Sequence, residues 1–385
     1  MIWINFLHLY QPVNTDARFI KEATELSYLR LIRALEENPK IKFTLNIAGG
    51  LILRWEELGY GELLSRINRL REAGQIELTG TAAYHPLLPL IPEEEVIRQI
   101  KENEEILKPY FGDSKPDGFF LPEMAYSQNI GKIIKKLGYK WIILDEIAKE
   151  GKIGNADANK IYQDKKTGLK IIFRSRKFSN SYVPDTLKKI IESGKEELVI
   201  TGTDAELYGL RHNDPTGEFE KILKNKELDT KTISEFINLS PEPEKIYLQS
   251  STWESSEAEL KSHQPYVLWL DKNNKIQKKI WQLADFTYKT LGKQKNDDNA
   301  SWARWHLVRG LGSCTLWWAS GRDFSHIFGP NAWNPDEVEK GINELVRAVR
   351  SLQNPDTRSA KLKAEKMSLK LKKMIWEKHW NHWKK

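Results

Sequence analysis

Short runs of apolar and β-branched residues alternate with longer amphipathic segments through the first 206 residues. The runs have the length and composition of strands, and the segments between most of them, such as Leu51–Ala73, Glu93–Tyr110 and Asn129–Leu137, are long enough for crossover helices. This alternation predicts a parallel sheet covered by helices, and seven units in succession favour an α/β fold of the seven-fold (β/α) barrel type. The predicted strands are Ile2–His8, Ile41–Ala48, Gln75–Gly80, Gly118–Glu123, Tyr139–Glu146, Leu169–Ser175 and Glu197–Glu206.

The pattern changes after Leu248. From Glu257 to His382 it is mainly helical, with interruptions where Gly, Pro and Asn cluster near Lys293–Asp298 and Phe328–Pro335. We therefore predict two domains. A catalytic barrel covers residues 1–250, and a helical C-terminal domain covers residues 251–385, packs on the barrel and contributes to its site.

Composition excludes several classes of protein. Cys314 is the single cysteine, so an intramolecular disulfide, a cysteine-rich zinc site and an iron–sulfur cluster do not fit. No apolar run approaches the ~20 residues needed to span a membrane, and the N-terminus has neither a basic region nor a small-residue cleavage site. We therefore expect a cytoplasmic protein without a membrane partner.

The formal charge of +7 is concentrated at the C-terminus. Residues 355–385 contain ten Lys and Arg against three Asp and Glu, which accounts for the whole excess. In this tail Leu362, Leu369, Trp376, Trp380 and Trp383 recur at helical spacing. The pattern predicts a terminal helix that buries these side chains and exposes its lysines. Binding of the tail to nucleic acid or to a membrane surface is the alternative, and we predict neither partner.

Ionisable or amide side chains fall at or near the end of each predicted strand. In a parallel barrel the loops that follow the strands form one face, where functional groups are found. Seven strands that all deliver polar groups to one face indicate an active site there. The residues are His8, Asn46, Glu77 with His85 in the loop after its strand, Glu123, Asp145 and Glu146, Arg174, and Asp204 with Glu206.

The residue types at this face favour acid–base chemistry on a sugar. The eight histidines are scattered, no glycine-rich phosphate loop follows a strand, and there is no GxSxG motif. What remains is carboxylates beside aromatic residues, notably Glu123 near Tyr126 and Asp204 near Tyr208. Glycoside hydrolysis requires two carboxyl groups, one ionised and one carrying a proton. We expect no cofactor and no bound metal.

Seven short motifs in this order resemble those of glycoside hydrolase family 57, and the resemblance covers most of the chain. It implies a seven-fold barrel with a helical C-terminal region that acts on α-glucans. Glu123 then corresponds to the nucleophile and Asp204 to the general acid/base. The motifs are HLYQP (residues 8–12), GQIELTGTAAYHPLLPLIP (74–92), GFFLPEMAYS (118–127), FRSRKFSN (173–180), GTDAELYG (202–209), STWE (251–254) and SCTLWW (313–318).

The resemblance implies cleavage with retention of configuration and an α-glucan or malto-oligosaccharide substrate. It leaves open whether the reaction is hydrolysis or transfer and which linkage is cleaved, because the family includes amylases, 4-α-glucanotransferases and branching enzymes. The oligomeric state is also left open. The residues predicted to contact substrate are His8, Tyr10, Glu77, His85, Arg174, Glu206, Trp253 and Trp318.

Two departures from the family pattern keep other functions open. Tyr10 stands where many members carry the second histidine of HxHQP, and Cys314 stands where several carry an aspartate. These departures motivate one alternative, a carbohydrate-binding protein that has lost turnover, although both Glu123 and Asp204 are present. A second alternative is a metal-dependent polysaccharide deacetylase, which requires an Asp–His–His set that the sequence does not supply.

Overall fold

The computed structural model describes residues 1–194, 197–239, 242–322 and 333–382. It contains two compact units. Unit 1 comprises Met1–Gln11, Thr15–Ala83 and Leu88–His263, and unit 2 comprises Pro12–Asn14, Tyr84–Leu87 and Gln264–Lys385. Unit 1 therefore includes residues 251–263, which lie beyond the boundary at residue 250 expected from the sequence.

All seven predicted strands are present in unit 1, and three short strands add to them. The additional strands, β6, β9 and β10, have two or three residues each, too few to give a periodic pattern in the sequence. In the described part of the chain the strands are β1 (Ile2–Leu9), β2 (Phe43–Ile47), β3 (Ile76–Thr79), β4 (Gly118–Phe119), β5 (Trp141–Asp145), β6 (Tyr162–Asp164), β7 (Lys170–Arg174), β8 (Leu198–Asp204), β9 (Asp229–Thr230) and β10 (Glu244–Ile246).

The strands follow the order of a (β/α) barrel but form two sheets. One sheet has the order β3-β2-β1-β8, with β9 beside β1, and the other has the order β10-β6-β7-β5-β4. All pairs are parallel except β6 with β7. Isolated contacts join the sheet edges, among them a bridge between Gly80 and Phe119 and a hydrogen bond from Ser175 N to Ile200 O (2.9 Å).

The predicted (β/α) barrel is confirmed, but among the described residues its strand pairing is interrupted at two seams. The first seam lies at β4, which ends after two residues. Pro122 follows in a turn over Pro122–Met124, and a proline has no N–H to donate to a ladder.

Helices cover the sheets of unit 1. The segment predicted as one helix over Leu51–Ala73 forms two, because the chain turns at Gly59 with φ +84°, a conformation that favours glycine. A π-helical turn over Thr24–Tyr28 joins α1 to α2. The helices are α1 (Ala17–Ala23), α2 (Leu29–Glu37), α3 (Gly49–Glu57), α4 (Gly61–Glu72), α5 (Glu93–Phe111), α6 (Gln128–Lys136), α7 (Arg176–Ser179), α8 (Val183–Glu192), α9 (Glu218–Leu223), α10 (Ile233–Leu239) and α11 (Glu257–Lys261).

The core of unit 1 forms around β1, whose residues are nearly all buried, as expected for a parallel strand covered on both faces. Trp3 packs edge-to-face on Phe43 with ring centroids 5.0 Å apart. Each such side chain contributes roughly 1.5–3 kcal/mol when it is withdrawn from water. The ends of β1 and its neighbours are thereby held rigidly.

Unit 2 is mainly helical, as the sequence predicts. Its helices are α12 (Lys275–Lys293), α13 (Ala300–Gly310), α14 (Ser313–Trp318), α15 (Pro335–Arg350) and α16 (Arg358–His382). Helix α15 approaches α14 closely at Gly341, where an added Cβ would lie 2.1 Å from Thr315 Oγ1. In the described part of the chain, no helix combines the length and the apolar composition needed to cross a membrane.

Helix α16 forms in the basic tail, but the face predicted to be buried is wrong. Leu362, Leu369 and Trp380 are 56%, 68% and 60% exposed, Trp376 is half-buried, and Trp383 lies outside the described residues. At about 100° per residue, the buried positions are centred about 120° around the helix from the predicted stripe. They include small and polar residues, whereas the predicted stripe consists of large apolar side chains. The buried positions are Ala364, Ser368, Leu371, Ile375 and His379.

Candidate active site

Asp204 ends β8 and lies beside His8 of β1, its partner in the parallel register. It occupies the N-cap position of the turn Ala205–Leu207, yet its side chain makes no capping hydrogen bond within the described residues. Its Oδ2 instead accepts a hydrogen bond from Arg211 Nη1 (2.7 Å), and the side chain is 24% exposed. Capping therefore does not account for this carboxylate.

Asp145 provides the contrast, because it occupies the same position after β5 and does cap its turn. Its Oδ1 accepts from Ile147 N (3.1 Å), and its carboxylate pairs with Arg174 Nε (2.8 Å) and Arg176 Nη2 (2.7 Å). The neighbouring Glu146 accepts from Arg176 N and Gly154 N. Both carboxylates bind the surrounding loops and are almost completely buried, which is a structural role.

Glu123 lies in the turn after β4 in a backbone conformation that is rare for a side chain with a Cβ. Its φ is 60° and its ψ is 16°, and Met124 follows with a φ of 48°. Such left-handed residues cost roughly 1–3 kcal/mol each and occur preferentially at functional sites. The Glu123 side chain is 9% exposed. The fold thus holds a carboxylate in a strained turn at the end of a barrel strand.

The segment Ser251–Trp253 runs beside this turn and is bonded to it. Tyr126 N donates to Ser251 O (2.9 Å), and Trp253 N donates to Glu123 O (3.2 Å). The Trp253 indole Nε1 donates to Glu123 Oε2 (2.9 Å). The STWE motif therefore lies against the predicted nucleophile, within unit 1.

Aromatic rings connect Glu123 to Asp204. His8 stacks on Tyr10 (centroids 5.6 Å apart) and packs on Phe120 (4.5 Å) and on the edge of Trp253 (6.3 Å). His8 Nδ1 is 2.8 Å from Asn46 Oδ1, an acceptor, so this nitrogen carries the proton. Burial lowers the pKa of His8 to about 4. His8 is therefore a neutral ring at neutral pH, beside Asp204 in the sheet and in contact with Trp253.

Glu206 lies two residues after Asp204 and is buried in a polar cluster. Its Oε1 accepts from Gln11 Nε2 (2.6 Å) and from the Tyr28 hydroxyl. Tyr28 ends the π-helical turn, a feature often found at functional sites. Burial, with a smaller contribution from the negative charge of Asp204, raises the pKa of Glu206 to about 7. A proton is therefore available beside Asp204 near neutral pH.

The structure does not bring Glu77 to this face. Its register partner on β2 is Thr44, two residues before Asn46 and thus one layer below the mouth. Its Oε2 accepts from Thr44 Oγ1 (3.0 Å) and from Ser234 N (3.1 Å) in the first turn of α10. Burial raises the pKa of Glu77. Its carboxylate thus lies toward the amino-terminal end of the barrel. The prediction was wrong because the position of a residue along a strand does not determine which layer its side chain joins.

Arg174 reaches the site but is bound by protein groups. In addition to its bond with Asp145, Arg174 donates to Gly202 O (2.7 Å) and to Trp253 O (3.3 Å). Its guanidinium carbon lies 5.2 Å from the centroid of the Trp253 ring. It is 5% exposed. These contacts give it a role in placing Trp253 that the sequence did not indicate.

His85 and Trp318 belong to unit 2. His85 is buried with φ 55°, and its Nδ1 lies 2.9 Å from Ser313 Oγ. Trp318 is half-buried at the end of α14, with its ring 6.4 Å from that of Trp317. Cys314, the second departure from the family pattern, is half-buried on the same helix. Substrate contact by His85 and Trp318 stays a prediction.

Among the residues that contact the predicted ones, the sequence patterns do not identify Gln11, Tyr28 and Arg211. Gln11 lies inside the HLYQP motif, which is the signal that could have identified it. Tyr28 and Arg211 lie in a helix and in a loop without any distinctive pattern, and only the tertiary contacts identify them. No group of three or more His, Cys, Asp or Glu side chains within the described residues could hold a metal ion.

Comparison with known proteins agrees with these observations. The family described as glycosyl hydrolase family 57 matches residues 5–249. Alpha-amylase 1 of Dictyoglomus thermophilum is 30% identical over 140 residues, which are 36% of this chain and 20% of that protein. The 4-alpha-glucanotransferase of Thermococcus litoralis is 24% identical in an alignment of 324 positions, gaps included, that covers 74% of this chain and 48% of that protein. The chain thus spans less than half the length of these curated relatives.

Two solved structures show the same fold. The 4-alpha-glucanotransferase from Thermococcus litoralis superposes with a TM-score of 0.71 at 18% identity, over 92% of this chain and 60% of that one. A GH57-type branching enzyme from Pyrococcus horikoshii superposes with a TM-score of 0.69 at 15% identity, over 95% of this chain and 94% of that one.

Proposed function

Because the chain belongs to glycosyl hydrolase family 57, we propose that it cleaves α-glycosidic bonds in an α-glucan or malto-oligosaccharide with retention of configuration. Glu123 is the nucleophile and Asp204 is the general acid/base. Matched relatives named as α-amylases and 4-α-glucanotransferases support this class of reaction. The side chains supply all of the chemistry, so the reaction requires no cofactor.

The observation that carries the proposal is the carboxylate of Asp204. The short turn after Asp204 could be capped by the Asp204 side chain, as Asp145 caps the turn that follows it. Asp204 instead accepts a hydrogen bond from Arg211 at the end of β8. Contacts that run from Asp204 through His8 and Trp253 to Glu123 support the assignment of a second carboxylate to the same site. Two carboxyl groups with aromatic rings between them suit a sugar ring.

The first step forms a covalent intermediate. A Glu123 carboxylate oxygen attacks the anomeric carbon, the bond from that carbon to the leaving oxygen breaks, and Asp204 gives its proton to that oxygen. The Glu123 charge is consumed in the ester. Asp204 is left ionised, and the Arg211 guanidinium at 2.7 Å balances the charge that it gains.

The second step reverses the roles. Asp204 takes a proton from a water molecule or from a sugar hydroxyl, whose oxygen attacks the anomeric carbon and releases Glu123. Water gives hydrolysis and a sugar gives transfer. A neutral His8 suits this site, because it can bond to sugar hydroxyls without adding a charge between the two carboxylates. Retention requires the carboxyl groups of Glu123 and Asp204 to lie roughly 5–5.5 Å apart, whereas inversion requires about 6.5–9.5 Å.

Incubation with maltoheptaose, followed by chromatography of the products, tests the proposal. Shorter sugars alone indicate hydrolysis, and a ladder that also extends to longer sugars indicates transfer. Proton NMR of the first product reports its anomeric configuration, which we expect to be α. Glu123→Ala and Asp204→Ala variants control for contaminating activity. An unchanged substrate would contradict the proposal and favour a carbohydrate-binding protein that has lost turnover.

A further inference from the structure

We propose that Trp253 is a positioning residue that orients the Glu123 carboxylate and stabilises its charge. The sequence predicts substrate contact by this tryptophan, but in the structure its indole N–H donates to the Glu123 carboxylate. The inference rests on the proposed function, since it takes Glu123 as the attacking group.

Two hydrogen bonds join the residues. The indole Nε1 donates to Glu123 Oε2 (2.9 Å), and the backbone N of Trp253 donates to Glu123 O (3.2 Å). The main-chain bond fixes the strained turn, and the indole bond fixes the side chain that extends from it. Because the indole has one N–H and cannot accept, the direction of this bond is unambiguous.

The indole ring is itself held by its neighbours. The Arg174 guanidinium lies 5.2 Å above it, and Phe120 and His8 pack on it at 6.0 and 6.3 Å. Arg174 also binds the Trp253 carbonyl, and it is anchored by Asp145 and by Gly202 O. The N–H therefore points at the carboxylate before substrate binds, and the bond needs no reorganisation during the reaction.

This bond acts on the charge of Glu123. A donor to a carboxylate favours its ionised form, so the nucleophile stays ready at lower pH. The bond weakens when the ester forms, and it strengthens again as the carboxylate departs in the second step. Since the donor binds Oε2, attack through Oε1 keeps the carboxylate oriented through both steps.

Trp253→Phe removes the N–H and keeps an aromatic ring. Trp141→Phe is the control, because Trp141 is buried in unit 1 and its indole donates to Ser234 Oγ (3.0 Å) rather than to a site carboxylate. We expect kcat to fall about 10- to 100-fold in the Trp253 variant, as for loss of a hydrogen bond to a charged group. The control should stay close to the wild type. The acidic limb of kcat/KM should move to higher pH in the Trp253 variant alone.

A spectroscopic measurement keeps the inference testable whether or not the variant folds and whether or not the protein turns over substrate. In wild-type protein labelled with ¹⁵N-tryptophan, one indole N–H resonance should shift as Glu123 titrates. The same resonance should lose this pH response in Glu123→Gln.

The outcomes separate the two proposals. A protein without turnover whose indole resonance follows Glu123 overturns the proposed function and supports the contact. Turnover with no resonance that responds to Glu123, or a Trp253 variant with the kcat and pH profile of the Trp141 control, overturns the role of Trp253.

Discussion

Replacing Glu206 by Gln tests whether burial keeps this carboxyl protonated in the folded protein. The side chain is 2% exposed, and burial is the main cause that raises its pKa to about 7 from the usual 4.5. Gln is close to isosteric with Glu and keeps an acceptor oxygen for Gln11 and Tyr28, so the substitution removes the titration and largely preserves the contacts. The folded protein then no longer gains or loses this proton with pH.

The sign and size of the effect follow from linkage. The folded state holds the Glu206 proton up to about pH 7, whereas the unfolded chain releases it near pH 4.5. The stabilisation from this group is therefore complete below pH 4.5 and is lost as the pH rises through 7. At 1.36 kcal/mol per pH unit, the loss is about 3 kcal/mol. His8 acts in the opposite direction, because its pKa of about 4 means that its contribution is lost as the pH falls below 6.5.

The assay must therefore compare the variant with the wild type at each pH. Urea unfolding between pH 4 and 8 gives both free energies of unfolding, and their difference cancels the contribution of His8. We expect the wild type to lose about 3 kcal/mol relative to Glu206→Gln across this range. Ser27→Ala is the control, since Ser27 Oγ bonds Glu206 O (3.3 Å) in the same cluster but does not titrate. A difference between wild type and Glu206→Gln that stays constant with pH would refute the reasoning.

Other predictions concern the site and the tail. External azide should restore turnover to Glu123→Ala and give a sugar azide of inverted configuration. Asp204→Ala should keep the first step on activated aryl glycosides, whose leaving group needs no proton. If azide restored turnover only to the Asp204 variant and gave the inverted azide, the two roles would be reversed. Asp145→Asn should lower the free energy of unfolding by about 3–5 kcal/mol, because it leaves buried guanidinium groups without their counter-charge, and a loss below about 1 kcal/mol in a urea titration would contradict this. In the tail, Ile375→Ala should cost about 2–5 kcal/mol and Trp380→Ala less than about 1 kcal/mol, an order that thermal unfolding checks. Dialysis against a chelator should leave kcat unchanged, and stoichiometric zinc or calcium with activity lost to the chelator would contradict that expectation.

Periodicity in the sequence was sufficient to predict the alternating architecture of unit 1. A parallel strand covered on both faces, such as β1, is an uninterrupted apolar run and stands out from the amphipathic segments around it. The polar residue that ends such a run is also visible, and His8, Asp145 and Asp204 were found in this way. The strand order follows from the same alternation. The seam at β4 does not, because the length of this strand depends on how the chain turns at Pro122.

Function was more difficult to separate from structure among the residues found in this way. Asp145 and Asp204 look alike in the sequence, since each ends a strand and precedes a short turn. Asp145 pairs with Arg174 and Arg176 and still caps its turn, whereas Asp204 pairs with Arg211 and does not cap its turn. The difference lies in which cations reach each carboxylate: Arg174 and Arg176 come 29 and 31 residues after Asp145, whereas Arg211 comes seven residues after Asp204.

The direction of a side chain is what only the tertiary structure decided. Glu77 and the face of α16 were both misjudged for this reason. In a strand the side chains alternate and join layers set by the register with the neighbouring strand, so Glu77 meets Thr44 and Ser234 instead of the mouth. In a helix the buried face depends on the partner, and close packing buries Ala364 and Ser368 while Trp380 stays in water. Local composition determines whether a strand or helix forms, but contacts between residues far apart in the chain determine which of its side chains reach the site.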